Sequence, residues 1–248
     1  MKAKASLGVL ALTILVAGCG DGGEGNLTAA AANQTAPLPQ IPAPDNGDWT
    51  QTVAQTEGGG FLMGNPDAPV KLLEYASMTC PACAAFTQQS SEALKNTYVR
   101  SGQVSYELRP LVIGGAPDAA VWLLARCLSP TAFFPTVEQI YARQAEWLGR
   151  ATPEVQQRIL ALPQDQQLAA WARALEMDTF FARRGMPESQ FNQCLSDTSG
   201  VNRLVEVSQG GQSQYNLQGT PSFVINNEPR NISSWQEVEG ALRSAIPQ

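Results

Sequence analysis

Two cysteines that stand two residues apart are the part of this sequence best suited to chemistry. Cys80 and Cys83 enclose Pro81 and Ala82 in the stretch EYASMTCPACAAFTQQ. Such a pair can ligate a metal, form a permanent bridge, or exchange its disulfide with another protein. A structural zinc site needs four Cys or His ligands, whereas this chain has no His. A permanent bridge across so small a loop would constrain little of the unfolded chain. We therefore predict a disulfide that is made and broken, with no metal and no cofactor.

The residues around the pair predict a strand before it and a helix after it. Residues 70–77 form a short, largely unbroken apolar run, which is typical of a buried central strand. From Cys80 to about Val99 apolar residues recur at helical spacing, and Pro81 stands at the first helical position. Free N–H groups and the dipole at a helix N-terminus stabilise a thiolate, which lowers the pKa of Cys80. Cys83 lies one turn further in, so we expect Cys80 to form a mixed disulfide and Cys83 to resolve it or, in the opposite direction, to be the leaving group.

An acidic residue within the apolar strand is the candidate partner of the pair. Glu74 precedes Cys80 and Cys83 inside the run VKLLEYAS. A carboxylate in such a run is unusual unless it is paired or functional. The alternative is that Glu74 only reaches the strand edge and solvent. We interpret Glu74 as the base that serves Cys83.

The rest of the chain predicts an α/β domain that is interrupted by helices. Residues 102–113 alternate like a second strand, which suggests a β-α-β unit. Residues 220–228 predict a further strand and residues 233–246 a closing helix with a capping box. Between these halves nearly every segment has helical spacing. The predicted parts are a first α/β half over 61–115, an all-helical insertion over 116–199, and a second α/β half over 200–248.

The N-terminus predicts export. Lys2 and Lys4 precede an apolar stretch over residues 5–18, which is shorter than the roughly 20 residues of a membrane span and fits a secretory signal. The sequence VAGC, ending at Cys19, resembles a bacterial lipobox. That resemblance implies a lipoprotein signal peptide over 1–18 and lipid on Cys19; the alternative is an ordinary signal peptide with a chance cysteine. Residues 19–60 are rich in Gly, Ala, Asn and Pro and predict a flexible tether.

Export also bears on the remaining cysteines. Disulfides persist outside the cytoplasm, and an even count of four remains if Cys19 carries lipid. Cys127 and Cys194 lie at the two ends of the predicted helical block, where we favour a structural bridge over two buried free thiols. The net charge of −6 and the absence of any basic run argue against nucleic-acid binding.

The motifs together resemble the DsbA-like thiol:disulfide oxidoreductases, which have a thioredoxin fold with a helical insertion. The phrases GNPDAPVKLLEYASMTCPACAAF and LQGTPSFVINNE carry the resemblance, which covers residues 61 to 248. It implies that Cys80 is the exposed nucleophile, Cys83 the buried resolving thiol and Glu74 the acid beneath them. It also implies that Pro221 is a cis-proline and that Thr220 before it contacts substrate; taken alone, a Thr-Pro pair more often starts a strand.

The resemblance implies an enzyme that introduces disulfides into exported proteins with free thiols. Its location would be the periplasm, where lipid on Cys19 would hold it to a bacterial membrane. A membrane redox partner would reoxidise the pair, and we expect a monomer. Strongly oxidising members often have Pro-His between the cysteines, whereas this chain has Pro81-Ala82, so we expect a weaker oxidant. The alternatives are a reductase or isomerase of the same fold and a non-catalytic peptide-binding lipoprotein.

Overall fold

A mixed six-stranded sheet forms the centre of the protein in the computed structural model, which describes residues 37–247. The strands are β1 (Val53–Gln55), β2 (Phe61–Met63), β3 (Val70–Ala76), β4 (Val104–Pro110), β5 (Ser222–Ile225) and β6 (Glu228–Arg230). Their order across the sheet is β1-β2-β4-β3-β5-β6. β3 and β4 pair in parallel and the other neighbours are antiparallel.

Ten α-helices surround this sheet in the described part of the chain. They are α1 (Pro81–Ala93), α2 (Gly115–Arg126), α3 (Pro130–Ala142), α4 (Gln144–Leu148), α5 (Pro153–Leu160), α6 (Gln164–Ala174), α7 (Met177–Ala182), α8 (Glu188–Ser196), α9 (Thr198–Tyr215) and α10 (Trp235–Ala245). α1 continues into a π-helical turn over Leu94–Val99. The capping box predicted for the last helix is present, with Ser234 and Glu237 as its members. The predicted thioredoxin-like fold with a helical insertion is therefore confirmed.

The central strand β3 is buried on both faces, as its unbroken apolar run predicted. Side chains alternate between the two faces of a strand. Leu73 and Tyr75 pack with Val207 and Tyr215 of α9 on one face. The intervening residues face the larger core, which also contains Cys83 and the aromatic rings of the insertion. This alternation directs Glu74 toward the helix that carries the two cysteines.

The insertion packs through large apolar side chains. Trp122, Phe133 and Phe181 are fully buried, and Phe133 stacks on Phe61 of β2 with ring centroids 3.8 Å apart. Burial of each such ring stabilises the fold by about 2–3 kcal/mol. The insertion therefore shares one continuous core with the sheet instead of forming a separate unit.

A disulfide closes the insertion. It joins Cys127, at the end of α2, to Cys194 in α8, and their Cα atoms are 6.2 Å apart. The two residues are 67 positions apart in the chain. In the loop-entropy model, a closure of that length contributes about 4 kcal/mol by restricting the unfolded state.

The predicted tether extends too far toward the C-terminus. Residues from 37 to 60 lie on the folded domain: β1 pairs with β2, and Trp49 is buried with its indole N–H donating to Ile41 O at 2.7 Å. Ile41 N donates in turn to Ser101 O at 2.8 Å. The polar composition of residues 37–60 gave no sign of the buried Trp49 ring or of the short edge strand β1. These two features hold the segment on the domain. The folded domain therefore begins before residue 61.

Three of the predicted features concern residues that the structure does not describe. The signal peptide over 1–18, lipid on Cys19 and the first part of the tether lie outside residues 37–247. Within the described range, none of the helices combines the length and apolar character needed to span a bilayer.

Candidate active site

Cys80 occupies the position immediately before the first turn of α1. Its backbone is extended (φ −81°, ψ 118°), and Pro81 follows as the first helical residue. The Cys80 carbonyl accepts the helical hydrogen bond of Ala84 N at 3.2 Å. The N–H groups of Ala82 and Cys83 therefore remain available to the Cys80 sulfur, as the sequence predicted for a helix N-terminus.

The surroundings of Cys80 stabilise its thiolate. Its pKa is lowered to about 5, chiefly by a hydrogen bond from the Cys83 thiol, while burial acts in the opposite direction. The backbone N–H groups of Cys83 and Ala82 lower it further. Cys80 retains 8% of its surface exposed, and both thiols are free in this reduced form. Cys80 is therefore a reactive thiolate at neutral pH.

Cys83 has the opposite properties. It is fully buried in the main core. Burial raises the pKa of its thiol far above the ordinary value, and the hydrogen bond to Cys80 and the charge of Glu74 add to the rise. A Cys83 thiolate is thus strongly disfavoured, and any reaction that releases one needs a nearby proton donor.

Glu74 lies near enough to Cys83 for its charge to act on that thiol. It is fully buried on β3, opposite Leu108 and Phe223 of the neighbouring strands. Burial raises its pKa to about 8, against the effect of a hydrogen bond from Tyr106, and the charge of Cys80 raises it further. A carboxyl group with this pKa exchanges its proton near physiological pH. The alternative of a solvent-exposed strand edge for Glu74 is excluded.

Thr220 and Pro221 lie opposite Cys80, immediately before β5. The peptide bond between them is cis. When Cys80 is protonated, its thiol donates to Thr220 O with a sulfur–oxygen distance of 3.2 Å. The Thr220 hydroxyl is buried and has no hydrogen-bond partner among the described residues. The structure therefore brings Cys80, Cys83, Glu74, Thr220 and Pro221 together in one site.

The loop that leads into the cysteines is held by the insertion. Gln144 donates from its side-chain amide to the carbonyls of Met78 (2.8 Å) and Cys80 (3.0 Å). The Tyr141 hydroxyl donates to Ser77 O at 3.1 Å. Both side chains are buried and come from the segment over α3 and α4.

A buried carboxylate on α2 holds the same loop. Asp118 Oδ1 accepts from Met78 N at 2.8 Å, and Oδ2 accepts from Ser77 Oγ at 2.6 Å. Oδ2 also accepts from the N–H groups of Ile113 and Gly114, each at 3.1 Å. Burial raises the pKa of Asp118, while these hydrogen bonds act against that rise. The insertion thus fixes the loop on which Cys80 stands.

Four residues of the site were not found from the sequence: Tyr106, Asp118, Tyr141 and Gln144. Tyr106 was one apolar position in an alternating strand, and Asp118 stood in the first turn of a helix, where an acid is ordinary.

Cys127 and Cys194, by contrast, are joined to each other apart from this site. Among residues 37–247, no group of three or more acidic, Cys or His side chains is arranged to hold a metal ion.

Alkylation of the reduced protein is expected to modify Cys80 and spare Cys83. Since the thiolate is the reacting species, the rate of iodoacetamide addition to Cys80 rises with pH through about 5 and is nearly constant at neutral pH. Peptide mass spectrometry after timed quenching gives the rate at each pH. Free glutathione serves as the control thiol, and a Cys80 rate that keeps rising to pH 9 alongside it contradicts the lowered pKa.

This geometry defines a class of protein: a thioredoxin-like sheet with a dithiol at a helix N-terminus, a cis-proline opposite, and a helical insertion. The protein-family model described as Thioredoxin matches residues 56–244, so the chain belongs to that family. A solved structure described as a protein-disulfide isomerase from Novosphingobium aromaticivorans is 30% identical, with a TM-score of 0.71 over 75% of this chain and 97% of that one.

Two further comparisons agree with this family. The Wolbachia pipientis alpha-DsbA1 structure is 18% identical with a TM-score of 0.58, covers 82% of this chain and 94% of its own, and shows the fold alone. A Rickettsia felis protein named "Putative protein-disulfide oxidoreductase" is 24% identical over 195 residues, or 78% of this chain. The chain spans 63% of the length of that relative.

Proposed function

We propose that this protein is a thiol:disulfide oxidoreductase that introduces disulfides into exported proteins by exchange at Cys80 and Cys83. The observation that carries the proposal is the opposite character of the two thiols. Cys80 is partly accessible and has a pKa of about 5, whereas Cys83 is fully buried and its pKa is raised. Stabilisation of the Cys80 thiolate favours the reduced pair, which makes the disulfide form an oxidant.

The proposed cycle begins with the Cys80–Cys83 disulfide. A substrate thiolate attacks Cys80 Sγ, the Cys80–Cys83 bond breaks, and Cys83 leaves with the electron pair while Glu74 gives it a proton. A second substrate thiolate then attacks the substrate sulfur of the mixed disulfide, and Cys80 leaves as its stabilised thiolate. The substrate has lost two electrons and gained a disulfide, and the enzyme holds them as a dithiol. A membrane redox partner with a disulfide or quinone acceptor takes the two electrons and restores the oxidised pair.

Thr220 and Pro221 are proposed to hold the substrate chain. The Thr220 carbonyl lies 3.2 Å from Cys80 Sγ, and Thr220 is only half-buried. An extended substrate segment beside it can add main-chain hydrogen bonds, which give affinity without sequence preference. That arrangement places a substrate cysteine next to Cys80.

The proposed location is the periplasm, with lipid on Cys19 as the anchor and the folded domain acting as a monomer. Support comes from the signal-like residues 1–18 and from a disulfide between Cys127 and Cys194, which suits an oxidising compartment. Mass spectrometry of the N-terminal peptide tests the anchor: a diacylglyceryl adduct is expected on Cys19 and is absent from Cys19→Ser. An unmodified mature N-terminus rejects it.

An isomerase is the second candidate, favoured by the similarity to the Novosphingobium aromaticivorans protein-disulfide isomerase at 30% identity. Two refolding assays separate the candidates. Oxidised protein added in slight excess to reduced ribonuclease is expected to produce disulfides, and reduced protein added to scrambled ribonuclease is expected to restore little activity. The reverse result favours the isomerase, and inactivity in both assays, with no insulin reduction, favours the non-catalytic peptide-binding alternative.

The Ala82→His substitution is expected to make the pair more oxidising. An imidazole beside Cys80 can add a hydrogen bond or positive charge to the thiolate, which the Ala82 methyl group cannot. A tenfold shift in the exchange equilibrium corresponds to about 30 mV in a two-electron couple, and we expect a rise of about that size. Redox titration against glutathione measures it, with Ala82→Gln as the uncharged control. An unchanged potential in Ala82→His contradicts the role given to this position.

A further inference from the structure

Protons must reach a carboxyl group that is sealed inside the protein. In the proposed cycle Glu74 gives one proton to Cys83 for each substrate disulfide, and it must then recover one from solvent. Glu74 is fully buried, and its Oε1 has no hydrogen-bond partner among the described residues. Direct contact with bulk water is therefore excluded in this conformation.

A single hydroxyl group on the neighbouring strand β4 contacts Glu74. Tyr106 donates to Glu74 Oε2 at 2.7 Å. Its ring packs on Phe134 of α3, with centroids 5.4 Å apart, so the hydroxyl is held in position by the insertion. A tyrosine hydroxyl donates one hydrogen bond and accepts others, so it can take up one proton as it releases another.

A small cavity lies along Tyr106 and leads toward the surface. Its volume is about 20 Å³, enough for one water molecule. The polar part of its wall comes from Thr87, Ser90 and Ser91 of α1 and from Lys95 and Glu138. Lys95 Nζ and Glu138 Oε1 form an ion pair at 2.8 Å, and their side chains are 27% and 29% exposed. This pair therefore connects the cavity to solvent.

We propose that Tyr106 is a proton-relay residue whose hydroxyl passes protons between Glu74 and the cavity bounded by Lys95 and Glu138. This inference rests on the proposed function, which it extends with a route for the proton. Tyr106 acts through Glu74 and touches no substrate. It holds the Glu74 carboxyl group in position and returns protons to it.

The relay balances without any additional reagent. Glu74 protonates the leaving Cys83 sulfur and becomes a carboxylate. The Tyr106 hydroxyl proton moves to Glu74 as the Tyr106 oxygen receives one from a water molecule in the cavity. That water is reprotonated from bulk at the Lys95–Glu138 pair, so the net change is one proton from solvent to Cys83.

The other groups around Glu74 do not offer an equivalent route. Cys80 and Cys83 on α1 are the reacting groups, and the Tyr141 hydroxyl from α3 is engaged with Ser77 O. The neighbours of Glu74 across β4 and β5 are the apolar Leu108 and Phe223. Burial raises the pKa of the Tyr106 phenol well above its ordinary value, and the charges of Glu74 and Glu138 raise it further. Tyr106 therefore stays protonated and serves as a neutral relay.

Reduction of the Cys80–Cys83 disulfide by dithiothreitol tests the relay directly. This reaction needs the same proton on Cys83 and requires no biological substrate. The full chain is mixed with dithiothreitol, quenched with acid at timed intervals and scored by thiol alkylation and mass spectrometry. The rate constant per dithiothreitol thiolate is measured from pH 6 to 10, in H2O and in D2O.

Tyr106→Phe is compared with Tyr98→Phe as a matched control. Tyr98 is also fully buried and donates to a carboxylate, Glu239 Oε1 at 2.8 Å, away from the cysteines. Tyr106→Phe is expected to slow the reaction about tenfold and to enlarge its D2O effect. The rate of Tyr106→Phe is expected to begin its fall at a higher pH than that of the wild type, because the lost hydrogen bond had lowered the pKa of Glu74. Tyr98→Phe is expected to match the wild type.

A second variant keeps the test independent of how Tyr106→Phe folds. Glu138→Gln removes the carboxylate at the partly exposed end of the cavity and is expected to slow the reaction two- to threefold in dilute buffer. If Tyr106→Phe folds and matches Tyr98→Phe in rate and D2O effect, or if Glu138→Gln is unchanged, the relay is overturned. A wild type that fails to oxidise reduced ribonuclease overturns the proposed function instead, because the dithiothreitol reaction reports on the relay by itself.

Discussion

A Cys83→Ser variant is expected to accumulate mixed disulfides between Cys80 and client proteins. Serine cannot resolve the intermediate, since it forms no bond to Cys80 sulfur. Its hydroxyl can still donate to Cys80, which preserves the largest cause of the lowered pKa. The Cys80 thiolate therefore still attacks a client disulfide, one client sulfur leaves as a thiolate, and the return attack on Cys80 that Cys83 would make to release the client is absent. Catalytic turnover is expected to fall roughly a thousandfold or more, as when an essential nucleophile is removed.

The adducts are to be captured from periplasmic extract under acid quench and identified on non-reducing gels by mass spectrometry. The matched control is Cys80→Ser, which retains Cys83. Because Cys83 is fully buried, this control is expected to trap nothing. Adducts of equal abundance through Cys83 in Cys80→Ser would falsify the assignment of the attacked thiol. A complete absence of adducts in Cys83→Ser counts against the oxidoreductase proposal.

The backbone geometry at Cys80 and the orientation of Glu74 could be predicted, because both depend on residues that are close in sequence. Pro81 fixes the start of the helix, and that start places backbone N–H groups on Cys80. Glu74 was visible because a charge interrupts an apolar strand, and the period of two determines which face it occupies. The prediction that free N–H groups and the dipole of the helix start lower the pKa of Cys80 was incomplete, since the hydrogen bond from Cys83 is the largest cause.

The supporting residues could not be predicted because their roles depend on packing across long sequence separations. Gln144 reaches Cys80 O from 64 positions away, and Asp118 reaches Met78 from 40. On their own helices these residues look like an ordinary glutamine and an ordinary first-turn acid. Residues 37–60 were misjudged for a related reason: the average composition predicted a tether, while Trp49 supplies a buried anchor and β1 pairs with β2.

These contacts explain why the helical insertion matters to the chemistry. The loop before Cys80 buries the Met78 side chain in the main core. Its backbone donates to Asp118 and accepts hydrogen bonds from Tyr141 and Gln144. The disulfide from Cys127 ties the end of α2, the helix that carries Asp118, to α8. The insertion therefore positions the dithiol and does not simply cover it.

Substitution of Asp118 by Ala is expected to destabilise the protein strongly and to loosen the site. The change removes a fully buried carboxylate and leaves Ser77 Oγ and the N–H groups of Met78, Ile113 and Gly114 without their acceptor. Each unsatisfied buried donor costs about 1–3 kcal/mol, partly offset where water enters, so we expect a loss of about 3–5 kcal/mol.

Urea unfolding of Asp118→Ala measures the free energy of that loss, and alkylation under native conditions measures the local effect. Because the loop that leads into α1 is released, Cys83 is expected to become modifiable by iodoacetamide well below the urea midpoint. Asp165→Ala is the matched control, since Asp165 is an exposed acid in the first turn of α6 and lies outside these hydrogen bonds. Equal stability of the two variants, or a Cys83 that stays protected in Asp118→Ala, contradicts the role of this carboxylate. If both effects appear together, the hydrogen bonds of Asp118 couple the stability of the insertion to the accessibility of the resolving thiol.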